Sequence, residues 1–450
     1  MHRARFAIPP RPAGSSSVSW YPRCSSFCLR RASDFERFRR ALARLLDYYP
    51  HLTGRLQVGS DQSVEITRLG TGAELLEAQC SKRLDAFSSG GRVLLQNLPG
   101  AGNALMPPFD PAGISRDPVL TIQYTRFACG GVSLGVRTLH TLCDADGFFQ
   151  MVQDLAELYR GLGNDADSPS LTHPPHIRPY LADLNATMSP EERAAALDFK
   201  PSLFYVESSA PVEPAPPSPT HAVTPPPPPP VVGRFLHFSS AELATLKVNA
   251  TDPTSSDSWV STFDALSAHL HQRVYRARVR LRENDPSHGE LSPPDFLTPV
   301  NIRSRIGTPH LPPRYFPNAL LCTDASFPPD VLATAPLWQI AKVLHAMTRT
   351  PGATSKDELA ATVRWLAAQP DRQRVKQSFR YGNGSLSLSQ WNKIDMYAVF
   401  AAAPILVAPP FTLISLLDGL GYFLATLEPG AIDVALALAE PIWAVLDHAV

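Results

Sequence analysis

The chain has almost no electrostatic bias. Its 450 residues carry 41 lysines and arginines against 41 aspartates and glutamates, a formal net charge of zero, and charged residues make up only 18%. With no basic surplus to neutralise phosphates or anionic headgroups, neither a nucleic acid nor a membrane is expected as a partner. Cysteine is scarce too. Cys24, Cys28, Cys80, Cys129, Cys143 and Cys322 are too few and too scattered for a disulfide framework, so a reducing compartment is expected. Cys24 and Cys28 lack a second Cys/His pair at zinc spacing, and no metal site is expected.

Long apolar runs are also missing. The opening MHRARFAIPPRPAGSSS is broken by prolines, so no secretory leader is expected and a cytoplasmic location follows. Residues 1–33 hold six arginines and no acid, the composition of a transit peptide without its amphipathic pattern. Residues 397–417 are uncharged, long enough to span a bilayer. Yet Pro404, Pro409 and Pro410 would leave helix hydrogen bonds unmade in hydrocarbon, so buried strands joined by a turn are expected there.

Proline, by contrast, is in excess, with 46 residues. Eleven of the twenty residues 211–230 are proline, ending in six in a row at 225–230. Such a stretch is extended polyproline-like chain and cannot enter a core. It reads as a stiff connector, or alternatively as a ligand for a proline-recognising module. A chain of this length exceeds one core, and domains of roughly 200 residues are usual. The expected division is an N-terminal domain over 1–200, a proline-rich linker over 201–233 and a C-terminal domain over 234–450.

Hydrophobic spacing gives the local elements. Phe35, Phe38, Leu42, Leu45 and Leu46 recur at three and four, predicting a helix over 34–49 capped by Ser33 or Asp34. Residues 119–127 and 132–139 flank Cys129-Gly130-Gly131 and predict a hairpin. Phe148, Val152, Leu155 and Tyr159 predict a helix stopped by Gly161. Further helices are predicted over 262–277 and 337–347, and a late strand at 434–438.

Between the hairpin and its helix lies His140-Thr141-Leu142-Cys143-Asp144-Ala145-Asp146-Gly147. A histidine at a strand end with a carboxylate four residues on suits general-base chemistry, because imidazole is near neutral at cellular pH. The spacing alone equally fits a satisfied loop histidine beside a helix-capping aspartate. Asp146 is expected to face solvent or cap the helix. His51, His269 and His271 are expected to be core or surface histidines.

The context of the loop is more specific. Thr125-Arg126-Phe127-Ala128-Cys129-Gly130-Gly131 leads into it and Gly147-Phe148-Phe149-Gln150 follows it. Elsewhere stand Tyr49-Pro50-His51-Leu52-Thr53-Gly54-Arg55-Leu56, Ser261-Thr262-Phe263-Asp264-Ala265-Leu266 and Asn301-Ile302-Arg303-Ser304-Arg305. Leu311-Pro312-Pro313-Arg314-Tyr315-Phe316-Pro317-Asn318 completes the set. In these stretches the chain resembles the BAHD acyltransferases, coenzyme A-dependent enzymes with an H-x-x-x-D(-G) motif, which His140 and Asp144 match. Its texture is similar to the fungal branch, near trichothecene 3-O-acetyltransferase-like and hydroxycinnamoyltransferase-like proteins.

The resemblance implies an α/β, two-domain chloramphenicol acetyltransferase-like fold, with mixed sheets, flanking helices and an interdomain channel. It implies transfer of an acyl group from acyl-CoA, a co-substrate rather than a bound cofactor, to a hydroxyl or amine of a small metabolite by a monomer. His140 is the implied general base, and Asp144 the implied structural partner of Arg303. Ser389 and Trp391 match the family's Thr-x-Trp element beside the reacting carbonyl; as residues alone they fit a surface loop and a core aromatic equally well. Glycine does not directly follow Asp144, and the family's D-F-G-W-G is replaced by Tyr397-Ala398-Val399-Phe400-Ala401-Ala402-Ala403-Pro404. That loss keeps a non-catalytic binding relative open. A condensation-like enzyme with a carrier-bound donor is the other alternative, but Leu139 stands where such enzymes have a first histidine.

Overall fold

The computed structural model describes residues 4–6, 22–29, 34–59, 64–163, 168–207, 228–308, 311–349, 355–412 and 415–448. Most of the arginine-rich start and proline-rich residues 211–227 lie outside them, as does the Cys24 side chain. Local signals translate directly into elements. Asp34 caps the helix Phe35–Tyr48 by accepting the Arg37 N–H at 3.0 Å, and Phe38, Ala41, Leu42 and Leu45 form its buried stripe. The hairpin pairs Leu120–Phe127 with Val132–Leu139 around Gly130, whose φ of +79° a side chain would disfavour.

These strands are the centre of a five-stranded sheet in the order Leu406–Ala408, Pro22–Leu29, Val132–Leu139, Leu120–Phe127, Glu74–Cys80. Only the last pair is parallel. The helices Phe35–Tyr48 and Ala145–Leu162 pack with it in one core. A six-stranded sheet in the second half runs Val231–Phe238, Ile432–Ala439, Leu420–Ala425, Leu386–Gln390, Phe296–Asn301, Leu320–Ala325. Leu386–Gln390 is parallel to both of its neighbours, so this sheet is mixed as well. Its core is closed by the helices Thr262–Asn284 and Leu337–Arg349.

Several elements depart from the sequence reading. The helix after the histidine loop starts at Ala145 and runs through Gly161 to Leu162, with Gly163 as its cap, because one glycine costs too little to stop a helix packed along its length. The helix from Thr262 continues to Asn284. Among the described residues of 397–417 only Leu406–Ala408 is a strand, since the prolines on either side withhold ladder donors. Tertiary pairings also cross the expected divisions. Leu406–Ala408, from the C-terminal stretch, pairs with Pro22–Leu29 of the first sheet. Phe204–Val206, inside the expected linker, pairs with Val375–Gln377. No helix among the described residues is long and apolar enough to cross a membrane.

Two core histidines make the fold acid-sensitive. His51 packs beside Tyr49 and Phe316, and His271 lies between Phe296 and Phe327. Burial pushes each imidazole from 6.5 down to about 3. The unfolded chain binds these protons near pH 6.5 and the folded chain does not, so stability is complete above that pH and drains away between 6.5 and about 3. The expected slope is about 1.4 kcal/mol per pH unit for each histidine. Urea melts at pH 7 and pH 5 check this; equal midpoints would contradict it.

Candidate active site

His140 follows the last residue of Val132–Leu139, so the first sheet delivers it to the seam between the halves. There a cavity of about 1040 Å³ is lined from the first half by His140, Thr141 and Asp146 and from the second by Asn301, Ser389 and Trp391. Asp146, expected to face solvent or cap, instead lines the cavity from the first helical turn. His51, His269 and His271 lie away from it.

Asp144 points the other way and is fully buried. One oxygen accepts the Gly147 N–H at 3.0 Å, the helix cap, and Arg303 Nη2 at 2.8 Å. The other accepts Arg303 Nη1 and the Ala319 N–H, both at 2.8 Å. The cap and the ion pair, separate readings of the sequence, thus coexist on one carboxylate. Arg303 in turn donates to the carbonyls of Tyr315 at 2.9 Å and Pro317 at 2.8 Å. Burial opposes its charge, but the Asp144 carboxylate outweighs burial and holds the guanidinium above its ordinary range.

Residues 311–319 of the second half therefore grip the histidine loop of the first. The Asn318 amide donates to the His140 carbonyl at 2.8 Å. The Gln150 amide donates to the Arg314 carbonyl at 3.1 Å, and the Asp154 carboxylate accepts from the Tyr49 hydroxyl at 2.6 Å and from Arg314. Asn318, Tyr49 and Arg314 stand inside the stretches that carry the family resemblance, but nothing in their spacing announces these bonds. Gly147 completes the grip, because a Cβ there would sit 2.0 Å from the Phe316 carbonyl oxygen. Gly147→Ala is expected to cost about 1–3 kcal/mol, read as a drop in Tm with loss of activity. An unchanged Tm would show that the segment can move aside.

Ser389 and Trp391 sit at the end of Leu386–Gln390, with the indole N–H donating to the Ser389 hydroxyl at 3.0 Å. The indole is held between Tyr422 and Phe149, at ring distances of 4.6 and 5.9 Å. Because Ser389 Oγ accepts the indole bond, its own O–H remains available to donate. The stretch that replaces D-F-G-W-G keeps a firm seat. Phe400 packs against Phe38 and Tyr159, and the Tyr397 hydroxyl donates to the Ala425 carbonyl at 3.2 Å. Among the described residues no group of three or more His, Cys, Asp or Glu side chains could hold a metal ion.

Comparison with known proteins agrees with this geometry. The Transferase family model matches residues 27–400. Shikimate O-hydroxycinnamoyltransferase of Nicotiana tabacum is 25% identical over 365 residues, 80% of this chain and 74% of that protein. Anthranilate N-benzoyltransferase protein 3 of Dianthus caryophyllus is 28% identical over 329 residues, 73% of this chain and 64% of that one. Among solved structures, F. sporotrichioides TRI101 complexed with coenzyme A and T-2 superposes with a TM-score of 0.70 at 18% identity, covering 100% of this chain and 97% of that one. Vinorine synthase gives 0.63 at 16% identity, covering 99% and 96%. Two mixed sheets sharing a cavity at a histidine loop, with these relatives, define the class as acyltransferase. Within that class the chain belongs to the Transferase family, that of the BAHD acyltransferases.

Proposed function

We propose that the protein transfers an acyl group from acyl-CoA to a hydroxyl or amine of a small metabolite, as a cytoplasmic monomer of secondary metabolism with no permanently bound cofactor. The observation that carries this reading is the position of His140, on a cavity lined from both sheets and on a loop locked by Asp144 and Arg303. The acceptor oxygen or nitrogen attacks the thioester carbonyl carbon while His140 removes its proton; an alcohol is too weak an acid to ionise beforehand. The carbonyl electron pair moves onto oxygen, where the Ser389 O–H donates to it and Trp391 holds that hydroxyl in place. Collapse of the adduct breaks the carbon–sulfur bond, and the thiolate recovers the proton from protonated His140. Asp144 and Arg303 touch none of the reacting atoms and act by positioning the loop.

Relatives named as hydroxycinnamoyl- and benzoyltransferases make aromatic acyl-CoAs the first donors to try. Lys247 and Lys393 line an adjoining cavity and offer charge to the donor's phosphates. The test is release of free thiol from a panel of acyl-CoAs with phenolic, amine and alcohol acceptors. Silence across the panel, with binding retained, would favour the non-catalytic reading that the altered second motif motivates. Ser389→Ala is expected to lower kcat about 10²-fold with the donor KM nearly unchanged. An unchanged kcat would remove the hydroxyl from the oxyanion role.

A further inference from the structure

Beyond Ser389 the cavity runs sideways along the inner face of the six-stranded sheet, and the strand register fixes which side chains meet there. Ser389 on Leu386–Gln390 pairs with Tyr422 on Leu420–Ala425, Tyr422 pairs with Ala435 on Ile432–Ala439, and Ala435 pairs with Phe235 on the edge strand Val231–Phe238. Paired residues share a face, so these four form one row leading away from Ser389. The row beside it is Ser387, Leu420, Ala437 and Gly233. Ser389, Tyr422 and Ala435 all line the cavity, and from Ser389 to Ala435 is two strand spacings, about 10 Å.

Phe411 closes the far end of this floor. Its ring lies against Gly233, where a Cβ would sit 2.3 Å from the ring carbons, and its centre is 5.2 Å from that of Phe235. The Asn103 amide of the first half donates to the Phe411 carbonyl at 2.7 Å, so the ring is a held wall and not a loose side chain. The lining supplied by 409–412, Leu420, Tyr422 and Ala435 carries no charged side chain, whereas Arg305, Arg349, Arg372 and Lys393 line the cavity from other elements. An uncharged end beside the hydroxyl that meets the thioester carbonyl suits the apolar group bonded to that carbonyl. Building on the acyl-transfer reading, we propose that the acyl group of the donor lies along the row from Ser389 to Ala435 and that Phe411 sets its greatest length. The donor then carries a single aromatic ring or a medium apolar chain, and acetyl-CoA, which leaves this floor uncovered, is a poor donor. Phe411 and Ala435 are specificity determinants that take no part in bond making.

The experiment measures binding of S-ethyl-, S-hexyl-, S-benzyl- and S-decyl-coenzyme A, thioethers that cannot be transferred, to the full chain by titration calorimetry. S-hexyl- and S-benzyl-coenzyme A are expected to bind about 10–100-fold more tightly than S-ethyl-coenzyme A, and S-decyl-coenzyme A no more tightly than S-hexyl. Phe411→Ala should make the S-decyl compound bind about tenfold or more tighter than the S-hexyl one. Ala435→Leu should bring S-hexyl and S-benzyl down to the S-ethyl level, with S-ethyl affinity the same in all three proteins. Equal binding of the S-ethyl, S-hexyl and S-benzyl compounds to the wild-type chain overturns the proposal without any variant. An unchanged length limit in Phe411→Ala overturns it too, as does full S-hexyl affinity in Ala435→Leu, which decides the matter if Phe411→Ala folds poorly. Each of these results leaves the acyl-transfer reading standing. The expected length profile with no thiol released from hexanoyl- or benzoyl-CoA would instead count against that reading alone.

Discussion

Replacing His140 by alanine is expected to lower kcat/KM by about 10²–10⁴ for any donor and acceptor that the wild-type chain turns over. The size of the effect follows from the acceptor's weak acidity: without a base in the transition state, the attacking oxygen carries its proton into the adduct. The fold should survive. The ring borders the cavity rather than a core cluster, and the bond from Asn318 is to the His140 carbonyl, which alanine keeps. Thiol-release kinetics alongside a thermal melt checks both halves of the expectation. Activity within threefold of wild type would take His140 out of the mechanism.

The second large effect is on stability. Asp144→Asn leaves the Arg303 guanidinium beside an uncharged amide in a site where the carboxylate is fully buried. Arg303→Met leaves that carboxylate with only the Gly147 and Ala319 N–H groups. Each single change is expected to cost about 3–5 kcal/mol, because a buried charge left alone costs more than a missing pair. The double variant should recover about 1–3 kcal/mol relative to the sum. Urea melts of the four proteins measure this coupling directly. Strictly additive shifts would mean that the two side chains do not act as a pair, whatever role His140 plays. Turnover should fall in every variant, since the pair holds the loop that carries His140, the proposed base.

Part of the geometry of the candidate site was legible in the sequence. His140 and Asp144 stand four apart after a predictable hairpin, and Arg303 was the partner expected from the family's pattern; the fork between them, 159 residues apart in the chain, is observed. Other features were not legible. The bond from Trp391 to Ser389 depends on the rotamers of two side chains at a strand end, and Asn318 reaches the His140 carbonyl from 178 residues away.

What the sequence determined by itself was local. The Asp34 cap, the apolar stripe of Phe35–Tyr48, the turn at Gly130 and the histidine loop each depend on residues within a few positions of one another, so short-range sterics and hydrogen bonding write them openly. The tertiary structure alone decided which distant stretches meet. The short strand Leu406–Ala408 joins the first sheet although it lies among residues of the second half, and Phe204–Val206 pairs with Val375–Gln377 although it lies in the expected linker. Backbone ladder bonds are nearly blind to side-chain identity, and a cavity wall is whatever surface remains after two cores have packed; neither leaves a periodic trace in the chain.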